Sequence, residues 1–170
     1  MFAEEGVTKL HMQVNPNGWA LYEGSSTRNS DRPVYTAQRD DDGVVFLNNN
    51  METIGRSNIP KATAWRDKNI NLTLNDRSYE LCKPSWWRTC RRFVSYEGIQ
   101  CASIRVVKGF LQIVNTDNNH VLATFTYSQW SKRKLGVIRH YSTENPSDND
   151  RQLFTIILSI VAKVDSQRQL

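Results

Sequence analysis

Residues 153–164, Leu-Phe-Thr-Ile-Ile-Leu-Ser-Ile-Val-Ala-Lys-Val, are apolar on every side of the helix they would form. A helix at the surface of a globular protein carries one apolar stripe, so an all-round apolar helix belongs inside. A bilayer span takes about 20 predominantly apolar residues. This stretch has 12 and includes Lys163, so a buried core helix is expected rather than a membrane span. Pro146 precedes it, and Ser147 with Asp150 fits a capping box, with acidic side chains in the positive first turn. The polar run Asp165–Gln169 closes it. These signals predict a helix at about 149–166.

The chain before that helix alternates with period two. Leu10, Met12 and Val14 interleave with His11 and Gln13, and Ile70, Leu72 and Leu74 with Asn71, Thr73 and Asn75. Turn-forming clusters punctuate the runs: Asn15-Pro16-Asn17-Gly18, Asp40-Asp41-Asp42-Gly43, Asn48-Asn49-Asn50 and Asn75-Asp76. The clearest hairpin joins Phe110–Val114 to Val121–Tyr127 around Asp117-Asn118-Asn119, and a last strand runs from about Lys134 to Tyr141. About twelve short strands with frequent turns mark an all-β chain.

An open sheet of that many strands would curl or split, and closure removes its unpaired edges. Eight strands just fill a barrel with their own side chains, so twelve leave a lumen to be occupied. The apolar helix is the candidate occupant. The expected fold is a roughly twelve-stranded closed antiparallel barrel around a buried hydrophobic C-terminal helix, as one domain over residues 1–170.

Three stretches, Gly109–Val114 with Val121–Phe125, Lys132–Ile138, and the helix Leu153–Val164, give an order of elements that resembles the tubby C-terminal-like superfamily. That group includes tubby proteins, phospholipid scramblases and plant LURP-one-related proteins, and the likeness is nearest to its small fungal members of unknown function. The resemblance covers about 60 residues closely and the rest by strand count. It implies a twelve-stranded barrel enclosing the C-terminal helix. Tubby-type members bind phosphoinositides through basic side chains on the barrel surface. Their binding residues have no one-to-one counterparts here, so none is carried over. Scramblases bear an acidic calcium segment near the last helix. Glu144, Asp148 and Asp150 occupy that region here without the dense alternating oxygen ligands of a calcium loop, and capping accounts for the two aspartates. The palmitoylated cysteine clusters of scramblases are absent.

Charge narrows the functional classes. The net charge is +5, but residues 51–140 carry fifteen basic and six acidic side chains, while the flanking segments are acidic. A basic middle suits an anionic partner. The three cysteines, Cys82, Cys90 and Cys101, match no zinc spacing and read as reduced thiols. Met1–Gly6 shows neither a basic n-region nor an apolar h-region, so a cytoplasmic protein without a secretory leader is expected. There is no Gly-x-Ser-x-Gly, His-Glu-x-x-His or phosphate-loop pattern, and His11, His120 and His140 fall in or beside different strands. The chain reads as non-enzymatic, with no cofactor and no metal.

One segment stands out. Residues 83–92 hold Lys83, Arg88, Arg91 and Arg92 with the adjacent Trp86 and Trp87, and no acidic residue. Neighbours in a strand point to opposite faces, so one of the two tryptophans is left at the surface beside arginine. Amphipathic tryptophan suits a membrane interface. The pairing recurs at Trp130 with Lys132, Arg133 and Lys134. These nine residues (Lys83, Trp86, Trp87, Arg88, Arg91, Arg92, Lys132, Arg133 and Lys134) are the candidate lipid-binding set. The expected function is a module at the membrane periphery that binds anionic headgroups. A protein-interaction or structural barrel is the alternative, and single-stranded nucleic-acid binding is a weaker third.

Overall fold

The computed structural model describes residues 7–24, 32–59, 70–82, 90–94, 102–107, 110–115, 118–128, 133–141 and 148–166. Twelve strands precede one helix: β1 (Val7–Asn15), β2 (Gly18–Glu23), β3 (Tyr35–Asp40), β4 (Gly43–Leu47), β5 (Thr53–Ser57) and β6 (Ile70–Leu74), then β7 (Arg77–Cys82), β8 (Cys90–Val94), β9 (Ala102–Val107), β10 (Phe110–Asn115), β11 (Val121–Tyr127), β12 (Lys134–Tyr141) and α1 (Asp148–Ser166). Each strand pairs antiparallel with its neighbours in sequence. β1 pairs with β12 as well as with β2, so the strand order closes into a barrel.

The tight turns carry the expected chemistry. Asn75 and Asp76 both take positive φ between β6 and β7, the geometry of a two-residue hairpin whose twist matches its strands. The Asp42 amide donates to Asp40 Oδ1 in the β3–β4 turn at 2.9 Å, and Arg56 on β5 reaches the other Asp40 oxygen at 2.7 Å. Asp40-Asp41-Asp42-Gly43 is therefore a hairpin turn with an ion-paired first residue.

One cluster makes up the interior. It joins Leu10 and Met12 of β1, Trp19 and Leu21 of β2, Phe46 of β4, Leu72 of β6, Leu111 and Ile113 of β10, Phe125 of β11 and Ile138 of β12 to the apolar residues of α1. All ten residues from Leu153 to Ala162 are buried. At about 100° per residue, ten in succession cover every side of a helix. The observed helix begins one residue before the expected 149 and ends where expected. Asp148 and Asp150 fall in its first turn. Ser147, the proposed cap, lies outside the described residues, as does Glu144.

Antiparallel order fixes two rims. Every odd-to-even connection returns at one rim, and every even-to-odd connection at the other. Near its start, α1 offers Gln152 to the side chain of Asn75 in the β6–β7 turn, an even-to-odd connection. Near its end, Lys163 lies close enough to Arg39, late in β3, to feel its charge. The helix thus runs from the even-to-odd rim to the odd-to-even rim.

Gly136 on β12 makes room inside. A Cβ there would collide with the Thr126 carbonyl and the Phe125 ring. The aromatic ring fills the space that a side chain at position 136 would take.

Candidate anion-binding wall

Charge is partitioned around the barrel. Strands β8, β9, β10, β11, β12 and β1 are consecutive neighbours, and together they contain no Asp or Glu. They carry six basic residues: Arg91, Arg92, Arg105, Lys134, Arg139 and Lys9. The other six strands hold three basic and three acidic residues, Arg39, Arg56 and Arg77 with Glu23, Asp40 and Glu80. By strand composition, six neighbouring strands thus carry only positive charge and the other six are balanced.

Register aligns part of that charge. Arg105, Gln112, Thr124, Arg139 and Lys9 are successive cross-strand partners from β9 through β10, β11 and β12 to β1. Strands lie about 4.8 Å apart, so this row spans roughly 19 Å. On β12, Ile138 and His140 turn inward, the former into the core and the latter toward the helix. Arg139, between them, faces out. Its Nη1 donates to Thr126 Oγ1 at 3.3 Å, and no carboxylate pairs with it among the described residues. Thr124 Oγ1 and the Tyr141 hydroxyl lie 3.4 Å apart. Phe110, Gln112, Val121, Thr124, Thr126, Arg139 and Tyr141 line an open groove of about 590 Å³ on this wall. A smaller groove of about 380 Å³ lies between Arg32–Pro33 and Asn49–Met51 and contains the exposed Met51.

The histidines separate by environment. His140 is buried, and its Nε2 meets Thr155 Oγ1 of α1 at 2.6 Å. Burial, with the charge of Arg151, lowers its pKa to about 4. His11 is buried on the basic half. Burial lowers its pKa first, and Lys134, Arg139 and Lys9 add to the effect, partly offset by the Gly24 backbone. His120 is exposed in the β10–β11 connection. Among the described residues, no three His, Cys, Asp or Glu side chains are grouped to hold a metal, and no helix is long and apolar enough to cross a membrane.

Of the residues singled out from sequence, Lys83, Trp86, Trp87, Arg88 and Lys132 lie outside the described residues. Arg91 and Arg92 are in β8, where the register shifts between Cys90 and Arg92. Arg133 is exposed and Lys134 half-buried at the start of β12. Cys82 and Cys90, the ends of β7 and β8 on either side of residues 83–89, and Tyr127 and Lys134, the ends of β11 and β12, all lie at the odd-to-even rim. Lys9, Arg105 and Arg139 were missed. None of them belongs to a local run of charge, and the cross-strand register is what gathers them.

The chain matches no protein-family model, no curated protein and no solved structure.

Proposed function

We propose that this chain is a non-enzymatic membrane-surface module, a small barrel of the tubby-like kind, that binds anionic lipid headgroups at the cytoplasmic face of a membrane. The observation that carries this reading is the run of six neighbouring strands with six cations and no carboxylate. A basic residue near a charged membrane contributes about 1 kcal/mol, so a useful affinity requires several on one face. A continuous wall meets that requirement, and a balanced surface does not. Lys83, Arg88, Arg91 and Arg92, with Lys132, Arg133 and Lys134, add to the binding charge in this reading, and Trp86 or Trp87 serves as an interfacial anchor.

The test is a side-by-side binding screen. Vesicles of neutral lipid, of phosphatidylserine and of phosphoinositide are compared with single-stranded oligonucleotides at low and moderate salt. Binding to the anionic vesicles, weakened by salt and by Arg88, Arg91 and Arg92 changed together to Ala, supports the proposal. Preference for oligonucleotides over every vesicle replaces it with nucleic-acid binding. Indifference to all of them leaves a protein-interaction barrel.

A further inference from the structure

The groove on the outer face of β10, β11 and β12 is ordered along the strand direction. Phe110 stands at the end toward the odd-to-even rim, and Gln112, Thr124 and Arg139 form one cross-strand row in the middle. Val121 and Tyr141 close the end toward the even-to-odd rim. We infer that this groove docks an extended segment of a partner protein with an apolar-x-acidic-x-apolar sequence, its carboxylate on Arg139. The inference stands apart from the membrane reading, because its partner is a protein and no lipid is needed.

Three observations lead there. The first is spacing. Side chains two residues apart on a strand share a face and lie about 6.6 Å from each other. Phe110 and Gln112 are related in this way on β10, and Arg139 and Tyr141 on β12. The groove thus presents an apolar, a cationic and a second apolar position at the interval at which an extended peptide presents alternate side chains. The second is charge. Arg139 is the cation of the groove, its Nη1 donates to Thr126 Oγ1 at 3.3 Å, and no carboxylate pairs with it among the described residues. The rest of its planar fork suits a bidentate bond to a carboxylate. Lys9 is its register partner on β1, and the six neighbouring strands hold no Asp or Glu, so the surroundings favour an acidic segment and oppose a basic one. The third is hydrogen bonding. The Gln112 amide and the hydroxyls of Thr124, Thr126 and Tyr141 both donate and accept. A peptide backbone offers N–H and C=O groups and uses both capacities.

The test is an NMR titration of the isotope-labelled whole chain with short blocked peptides. One carries Leu-Ser-Glu-Ser-Leu at its centre, one Leu-Ser-Lys-Ser-Leu, and one the scrambled Ser-Leu-Leu-Ser-Glu, which keeps the charge and loses the spacing. Wild type, Arg139→Gln, Arg139→Lys and Arg56→Gln, a cation of the balanced half, are compared. Thermal melts establish that each variant is folded, and the map of shifted amides in wild type locates the site without any variant.

The Glu peptide should shift amides of β10–β12 in wild type and bind severalfold tighter than the scrambled one, and the Lys peptide should not bind. Arg139→Gln should weaken the Glu peptide about tenfold. Arg139→Lys, which keeps the charge without the fork, should fall between that variant and wild type. Arg56→Gln should stay within about twofold of wild type. Equal binding of the Glu and scrambled peptides would overturn the inference, because charge alone would then account for the attraction. So would shifts centred outside β10–β12, an Arg139→Gln titration like that of wild type, or no shift with any peptide at millimolar concentration. No vesicle enters this experiment, so its failure leaves the membrane reading standing, and failure of the vesicle screen leaves the peptide site standing.

Discussion

His140 on β12 and Thr155 on α1 are joined by a 2.6 Å hydrogen bond between Nε2 and Oγ1, inside the barrel and away from water. The bond ties the central helix to the strand that precedes it in sequence. It also places a titratable ring where protonation is unfavourable, with a pKa lowered from 6.5 to about 4. Above pH 6.5 the ring is neutral in both the folded and unfolded states and has no effect on the balance between them. Between about 6.5 and 4 the unfolded chain binds the proton and the folded one does not, so stability falls as pH falls. The full loss is on the order of 3 kcal/mol. Urea melts from pH 8 to pH 4 should show this decline, and the decline should be much shallower in His140→Gln. An unchanged pH profile in that variant would assign the acid sensitivity elsewhere, with His11 next in line because its pKa is lowered too.

Ile157 is fully buried on the central helix. Ile157→Asp places a carboxylate at a fully buried position among apolar residues. An uncompensated buried charge costs several kcal/mol, comparable with the whole stability of a domain. The variant should lack a cooperative thermal transition. A soluble Ile157→Asp protein with a wild-type melt would show that the helix is peripheral.

Gly136→Ala tests the packing of Phe125 against β12. The added Cβ meets backbone as well as the ring, so it cannot be absorbed by a side-chain rotation alone. Overpacking of this kind costs about 1–3 kcal/mol. The denaturant midpoint should drop accordingly, and Phe125→Leu in the same chain should recover part of the loss. No drop in Gly136→Ala would mean that the ring sits elsewhere in solution.

The sequence made some of this architecture legible and concealed the rest. The helix was visible because ten buried residues in a row leave no polar stripe, and its bounds followed from acidic and polar flanks. β6, β11 and β12 were visible from alternation or β-branched content, and the β6–β7 turn from Asn75-Asp76. β5, β8 and β9 gave weaker signals. Thr53–Ser57 contains Gly55 and Arg56, and Cys90–Val94 contains a basic pair that reads equally well as surface. The pairing of β1 with β12 has no local signature in either strand, because it is a property of the ends of the chain. The basic wall was concealed for the same reason. Arg139 and Lys9 are 130 positions apart in sequence and adjacent in register. A scan for runs of charge finds Lys132-Arg133-Lys134 and passes over cations with no charged neighbour in sequence.

The central claim, that the basic half of the barrel is the membrane-binding face, is tested most directly by removing equal charge from the two halves. Lys9, Lys134 and Arg139 are changed together to Gln in one variant, and Arg39, Arg56 and Arg77 in the other. Partitioning onto phosphoinositide vesicles is then measured by flotation. At about 1 kcal/mol per basic residue, the first variant should bind about 100-fold more weakly than wild type. The second, which loses the same charge from the balanced half, should stay within about threefold. Equal loss in the two variants would contradict the claim, because binding would then follow net charge rather than a face of the barrel.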